Sequence, residues 1–363
     1  MKKKIKLFDP SITYDEEKVV KNVLKSKFWA SGAGVEFVKK FENKFKKYTN
    51  SDQCISVNSG TAALHLALSM YNLKNKEVII PSLSFVSTAH AVIYNGGIPV
   101  FADVEPNTLC ISPSEIEKKI NKKTFGIIPV HFGGMPCNLQ EIAKLSKKHN
   151  LHVIEDAAHA AGSSYNQKKI GSHSELVCFS FHPVKNLAMP TGGAICINLK
   201  NNKKMVDELK SKRWCGITNR KETHYDVDKL GWNYYMNEFS AAIGIEQLKK
   251  LDKMNEKRKV IAKKYNQELN MDRKMEFNKG CSYHLFWILV KNRDEFRKKM
   301  LKKGIETGTH YFPIHKMSYY NSKSKLKITE NISETIVTLP IHANMLKSEI
   351  DNVIRYANEF SDK

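Results

Sequence analysis

The chain has 363 residues, 41% hydrophobic and 10% aromatic, enough for one large α/β unit with a sizeable core and a smaller second one. Its formal net charge of +22 rests on 52 lysines and only 7 arginines, none before Arg213, which argues against a nucleic-acid partner because phosphate clamps and base readers favour arginine. No apolar run approaches membrane-span length, and the seven scattered cysteines form no Cys-x-x-Cys pair, so zinc fingers are excluded and reduced thiols in a cytoplasmic setting are expected.

The basic start, Met1–Pro10, lacks the apolar core of a signal peptide. A helical pair is expected over residues 14–48, broken at Phe28-Trp29-Ala30-Ser31-Gly32, an aromatic-glycine stretch that reads as either a turn or a substrate-contacting loop. Cys54–Val57 reads as a strand running through Ser59-Gly60-Thr61 into an Ala/Leu-rich helix. The amide groups at such a helix start, with the Thr61 hydroxyl, suit an anion.

Strands and helices then alternate. Val78–Ile80 precedes a helix to about Tyr94, Ile98–Asp103 precedes Pro113–Ile120, and Phe125–His131 precedes Leu139–His149. Leu151–Asp156 ends in two carboxylates. This alternation predicts a mostly parallel sheet with helices on both faces and a ligand beyond the carboxyl ends of its strands. Thr61, Phe85, His131, Asp156 and Ser180 all lie at or just past such ends.

Met205–Lys212 is expected to be helical and Trp214–Asp228 irregular and polar. A long helix follows from about Glu238 to Leu269, and the domain boundary is placed within it. Residues 1–245 form the large unit, and residues 246–363 a small α+β unit with strands at Tyr283–Val290 and Thr335–Leu339. Asn321–Lys327 reads as a polar loop. The lysine clusters at 118–123 and 200–204 read as solvated faces, although the overall charge also suits an anionic substrate.

Between two apolar strands sits Cys178-Phe-Ser180-Phe-His-Pro-Val-Lys185-Asn, followed by Thr191-Gly-Gly193. Burial there lowers a lysine's pKa toward the neutral amine that Schiff-base chemistry needs. This stretch belongs with Asn58-Ser-Gly-Thr-Ala-Ala-Leu64, Pro81–Ala89, Pro129-Val-His131 and Glu155-Asp-Ala-Ala-His-Ala160. It also belongs with Asn233 and Ala241-Ala242, Lys303–Gly308, His310-Tyr-Phe-Pro-Ile-His315 and Leu339-Pro-Ile-His342. Taken in this order, over nearly the whole chain, these segments resemble the DegT/DnrJ-type sugar aminotransferases, a branch of the fold-type I pyridoxal-phosphate enzymes.

The resemblance implies pyridoxal 5′-phosphate as cofactor, Lys185 as the lysine that carries it and moves the proton, and Asp156 as partner of the pyridine nitrogen. It implies phosphate binding by Gly60, Thr61 and Ser180, ring stacking by Phe85, and His159 near the phenolic oxygen. Asn233 would reach the phosphate of a neighbouring subunit in a homodimer. Trp29, His310 and His315 are candidate substrate contacts, and no metal spacing is present.

The implied reaction moves an amino group from L-glutamate to a nucleotide-linked keto-deoxy sugar. The first choice is dTDP-4-keto-6-deoxyglucose giving dTDP-4-amino-4,6-dideoxyglucose, with UDP-, GDP- or 3-keto sugars as alternatives. Lys185 argues against the dehydratase branch, which carries histidine there, and the Lys185/Asp156 pair argues against a non-catalytic regulatory relative. Two departures fall near the cleft: the turn Ala188-Met-Pro-Thr-Gly-Gly193 lacks the family's glutamate, and Tyr235 stands where arginine is common.

Overall fold

Apolar runs of four or five residues, too short for helices and rich in β-formers, become strands buried on both faces between helices. The computed structural model describes residues 4–199, 201, 203–320 and 322–361. Helices α1 (Tyr14–Ser26) and α2 (Glu36–Thr49) lead to β1 (Gln53–Val57), α3 (Gly60–Leu68), β2 (Glu77–Pro81), α4 (Ser87–Tyr94) and β3 (Ile98–Ala102). There follow α5 (Pro113–Lys119), β4 (Thr124–Ile127), α6 (Leu139–His149), β5 (His152–Asp156) and a short ladder of β6 (Ser164–Tyr165) with β7 (Lys168–Lys169). Strands β8 (Leu176–Ser180) and β9 (Gly193–Ile197) close the main sheet, whose order is β1-β9-β8-β5-β4-β2-β3.

Only β9 runs against its neighbours in this sheet. The carboxyl ends of β1, β2, β5 and β8 therefore reach one edge, where the β8–β9 connection carrying Lys185 also lies. The two-residue period of each strand divides the core. Leu176 and Cys178 of β8 face one cluster with α3, while Val177 and Phe179 face the other with α2. In that second cluster Phe45 meets Phe179 edge-on at 5.0 Å and Phe181 at 5.2 Å, bracing the strand that ends at Ser180. Truncating Phe45 to alanine would cost about 3–5 kcal/mol.

Beyond the sheet come α7 (Lys203–Arg213), the hairpin β10 (Ile217–Lys221) and β11 (His224–Val227), and α8 (Glu238–Glu268). The chain ends through β12 (Phe286–Leu289), α9 (Arg293–Lys302), α10 (Lys327–Thr335), β13 (Ile336–Leu339) and α11 (Lys347–Phe360). Residues on both sides of position 245 share the larger core cluster. The segment expected to be irregular is in fact the β10–β11 hairpin. Every residue of β11 is exposed, so no buried face marks its period. Helix α10 begins at Lys327, the end of the expected polar loop, and Asn321 of that loop lies outside the described residues. So do Lys200 and Asn202 of the second lysine cluster, whereas Lys118, Lys122 and Lys123 of the first are exposed at the end of α5. Among the described residues no helix is long and apolar enough to cross a membrane.

Candidate active site

A cavity of ≈ 340 Å³ opens at the carboxyl edge of the sheet, and Gly60, Thr61, Phe85, Asp156, His159 and Ser180 line it together with Lys185 and His310. Its first wall is the start of α3. Ser59 caps this helix, its hydroxyl accepting from the Ala62 amide at 3.1 Å, and the first turn directs its amide dipoles at the cavity. A Cβ on Gly60 would meet the Ser180 Cβ at 2.7 Å, so only glycine lets α3 start this close to β8. Thr61 and Ser87 hydroxyls, 2.6 Å apart, join the starts of α3 and α4. Hydroxyls beside a helix N-terminus make a phosphate cradle.

Asp156 ends β5 and is 4% exposed. One carboxylate oxygen accepts from Thr88 Oγ1 at 2.8 Å and the other from the Ala158 amide at 3.1 Å. Burial nevertheless raises its pKa above the usual carboxylate value, more than these two donors and the Lys185 charge pull it down. It forms no ion pair among the described residues. A buried carboxylate short of a cation suits a protonated ring nitrogen.

Lys185 lies on the β8–β9 connection, half-buried where it fronts the cavity. Burial lowers its pKa to about 8, and the Asp156 charge partly opposes that shift. Its Nζ is 3.4 Å from Nε2 of His284. The turn that follows is packed by Met189, whose amide donates to the Phe181 carbonyl at 2.8 Å, and Thr191 and Gly192 return the chain to the cavity wall.

Rings line the cavity from the loop after β5, which carries His159, and from the second half of the chain, which carries His310 and Tyr311. His159 Nδ1 accepts from the Gly133 amide at 3.2 Å, so its proton sits on Nε2, 3.1 Å from Tyr311 Oη. Burial, reinforced by the Lys185 charge, holds His159 well below the ordinary imidazole value and therefore neutral. His310 is lowered by burial to about 4 and contacts Thr338 Oγ1 at 2.8 Å. Phe85 exposes an apolar ring to the cavity at 6.2 Å from the Tyr311 ring.

Four expected residues are not brought to this cavity. His315 is fully buried between Ser82 Oγ (2.7 Å) and Glu330 (3.2 Å), so in this structure it ties segments together. Trp29 lies on the surface with its ring near Phe239 and its carbonyl accepting from the Glu238 amide. Asn233 is exposed and offers its carbonyl to Asn58 Nδ2 at 3.2 Å. His131 is buried below the site, its Nε2 donating to Glu155 at 2.8 Å.

Sequence reasoning missed His284, Tyr311, Thr88 and Thr191. Tyr311 was within reach, because it adjoins His310 in a motif already singled out. No spacing signal links His284 to Lys185.

The family described as the DegT/DnrJ/EryC1/StrS aminotransferase family matches residues 10–357. GDP-perosamine synthase of Escherichia coli O157:H7 is 33% identical over 99% of this chain and 100% of its own. Among solved structures, Helicobacter pylori PseC, an aminotransferase involved in the biosynthesis of pseudoaminic acid, superposes with a TM-score of 0.92 at 27% identity, covering 98% of this chain and 99% of its own. DesV of S. venezuelae gives 0.92 at 28% identity, covering 99% of each chain.

Proposed function

This chain belongs to the DegT/DnrJ/EryC1/StrS aminotransferase family and is a pyridoxal-phosphate-dependent transaminase; we propose that it moves an amino group from L-glutamate to a nucleotide-linked 4-keto-6-deoxy sugar. The observation that carries this reading is one cavity that holds a lysine with a depressed pKa and a buried carboxylate lacking a cation.

Bound pyridoxal phosphate supplies the electron sink that lets an amino-acid Cα lose its proton. Asp156 would keep the ring nitrogen protonated, with Thr88 and the Ala158 amide fixing the carboxylate's orientation. The α3 N-terminus, Thr61 and Ser180 would hold the phosphate, and Phe85 would cover a ring face. His159, protonated on Nε2, would donate to the Tyr311 hydroxyl or to the phenolic oxygen beside it. Lys185, neutral in part at physiological pH, would take the proton from Cα and return it on the other side of the transfer.

Residues 1–245 would carry the cofactor and residues 246–363 the second wall. Asn233, exposed and outside this chain's cavity, would serve the site of a partner subunit in a homodimer. Trp29, on the same terms, would belong to a shared entrance. The similarity to GDP-perosamine synthase over whole chains favours a GDP-linked sugar over the dTDP-linked one, with UDP next.

A glutamate-dependent amination screen across GDP-, dTDP- and UDP-4-keto-6-deoxy sugars tests the substrate. Borohydride reduction of the yellow protein should fix the cofactor on Lys185. A Lys185→Ala protein that still aminated any of these sugars would overturn the reading.

A further inference from the structure

Among the described residues, Lys185 Nζ has a single hydrogen-bond contact, the 3.4 Å approach to His284 Nε2. Asp156 does not supply a second one, because its oxygens are held by Thr88 and Ala158 and it acts on the lysine only through charge. His284 is 3% exposed and lies just ahead of β12. Its ring stacks on Phe8 (centroids 5.4 Å, 17° between planes) and packs against His159 at 4.5 Å.

The spacing between lysine and imidazole is set by a separate tether. Asn186, next to Lys185, donates to the Ser282 carbonyl at 2.8 Å and to Asn255 Oδ1 at 2.9 Å. One buried amide thus pins the lysine loop to the segment two residues ahead of His284. An imidazole packed against Phe8 and His159 and tied at this distance has few orientations left.

We propose that His284 is a positioning residue for Lys185: its Nε2 accepts one N–H of the amine and so leaves the nitrogen lone pair facing the cavity. Burial, and then the Lys185 charge, hold His284 well below the ordinary imidazole range, so it is neutral and one ring nitrogen is free to accept. The tautomer decides the outcome. With the proton on Nδ1, Nε2 accepts and the lysine lone pair stays available. With the proton on Nε2, the ring would donate into that lone pair and block it.

This inference rests on Lys185 as the cofactor lysine, so its test begins with the intact protein stripped of cofactor and re-exposed to pyridoxal phosphate. Capture is followed by absorbance and by borohydride fixation located by mass spectrometry. His284→Phe keeps a ring for Phe8 and His159 but cannot accept, and its capture should be about tenfold slower. His284→Gln returns an acceptor and should recover to within about threefold of the native rate. Equal rates in the native protein and the phenylalanine variant, or a glutamine variant no better than phenylalanine, overturn the proposal. Should the native protein fail to take up cofactor on Lys185, the functional reading fails instead. If His284→Phe does not fold, 15N NMR of histidine-labelled native protein gives the answer. An unprotonated Nε2 at His284, assigned through the glutamine variant, is expected, and a protonated Nε2 sinks the idea.

Discussion

On the sheet side of the cavity burial works against charge: it raises Asp156 and lowers Lys185 to about 8. Among the rings beside them, burial leaves neutrality: His159 on the loop after β5, and His284 and His310 from the second half of the chain, all fall well below the ordinary imidazole value and keep fixed hydrogen bonds or ring contacts. The same loss of water therefore yields two kinds of wall. Strand ends present groups whose charge state is poised to change, because a cofactor or proton can complete them. The histidine-bearing loops present groups whose charge does not change and whose value lies in direction. A transaminase needs both, one wall for electrons and protons and the other for geometry.

The largest test of this contrast is Lys185→Ala, which should lower amination by at least about 10³-fold and abolish borohydride fixation, with the fold retained by circular dichroism. Asp156→Asn should lower kcat by about 10²-fold. Stripped of cofactor, that variant should be more stable than the native protein at neutral pH. The folded carboxyl is raised above its unfolded value, so its penalty applies above the folded pKa and fades as pH falls toward the unfolded one. Thermal melts of both proteins across the acidic range check the sign: the native protein should gain on the variant as pH falls.

On the neutral wall, Tyr311→Phe removes the contact to His159 and should cost about tenfold in kcat, leaving cofactor affinity near native. Capture of pyridoxal phosphate by the stripped protein should rise with pH and level off above about 8, where Lys185 is deprotonated. A midpoint at the ordinary lysine value would remove the distinction between the walls. The smallest effect on activity belongs to His315→Ala. It should leave KM for the sugar within about twofold while costing about 1–3 kcal/mol in urea unfolding, because Ser82 loses its buried partner.

His310 and His315 show why legibility was uneven. Both sit in one motif, yet a few residues of chain carry the first into the cavity and the second between Ser82 and Glu330. Helix α6 appears at the expected bounds because its apolar periodicity and flanking turns are local. The β10–β11 hairpin escaped because an exposed ribbon has no buried face to imprint alternation on the sequence.

What the sequence by itself determined is the alternation of strands and helices and the residues at strand ends: Gly60 and Thr61, Asp156, Ser180, and Lys185 in the following loop. These are set by nearest neighbours along the chain and by the rule that parallel strands end at a common edge. Only the tertiary structure decided that His284, 99 residues from Lys185, faces its amine. It also decided that Tyr311 meets His159, and that His315, Trp29 and Asn233 lie elsewhere. Contacts across such separations depend on how the second wall packs on the sheet. The protonation state of each ring depends on how much water that packing removes.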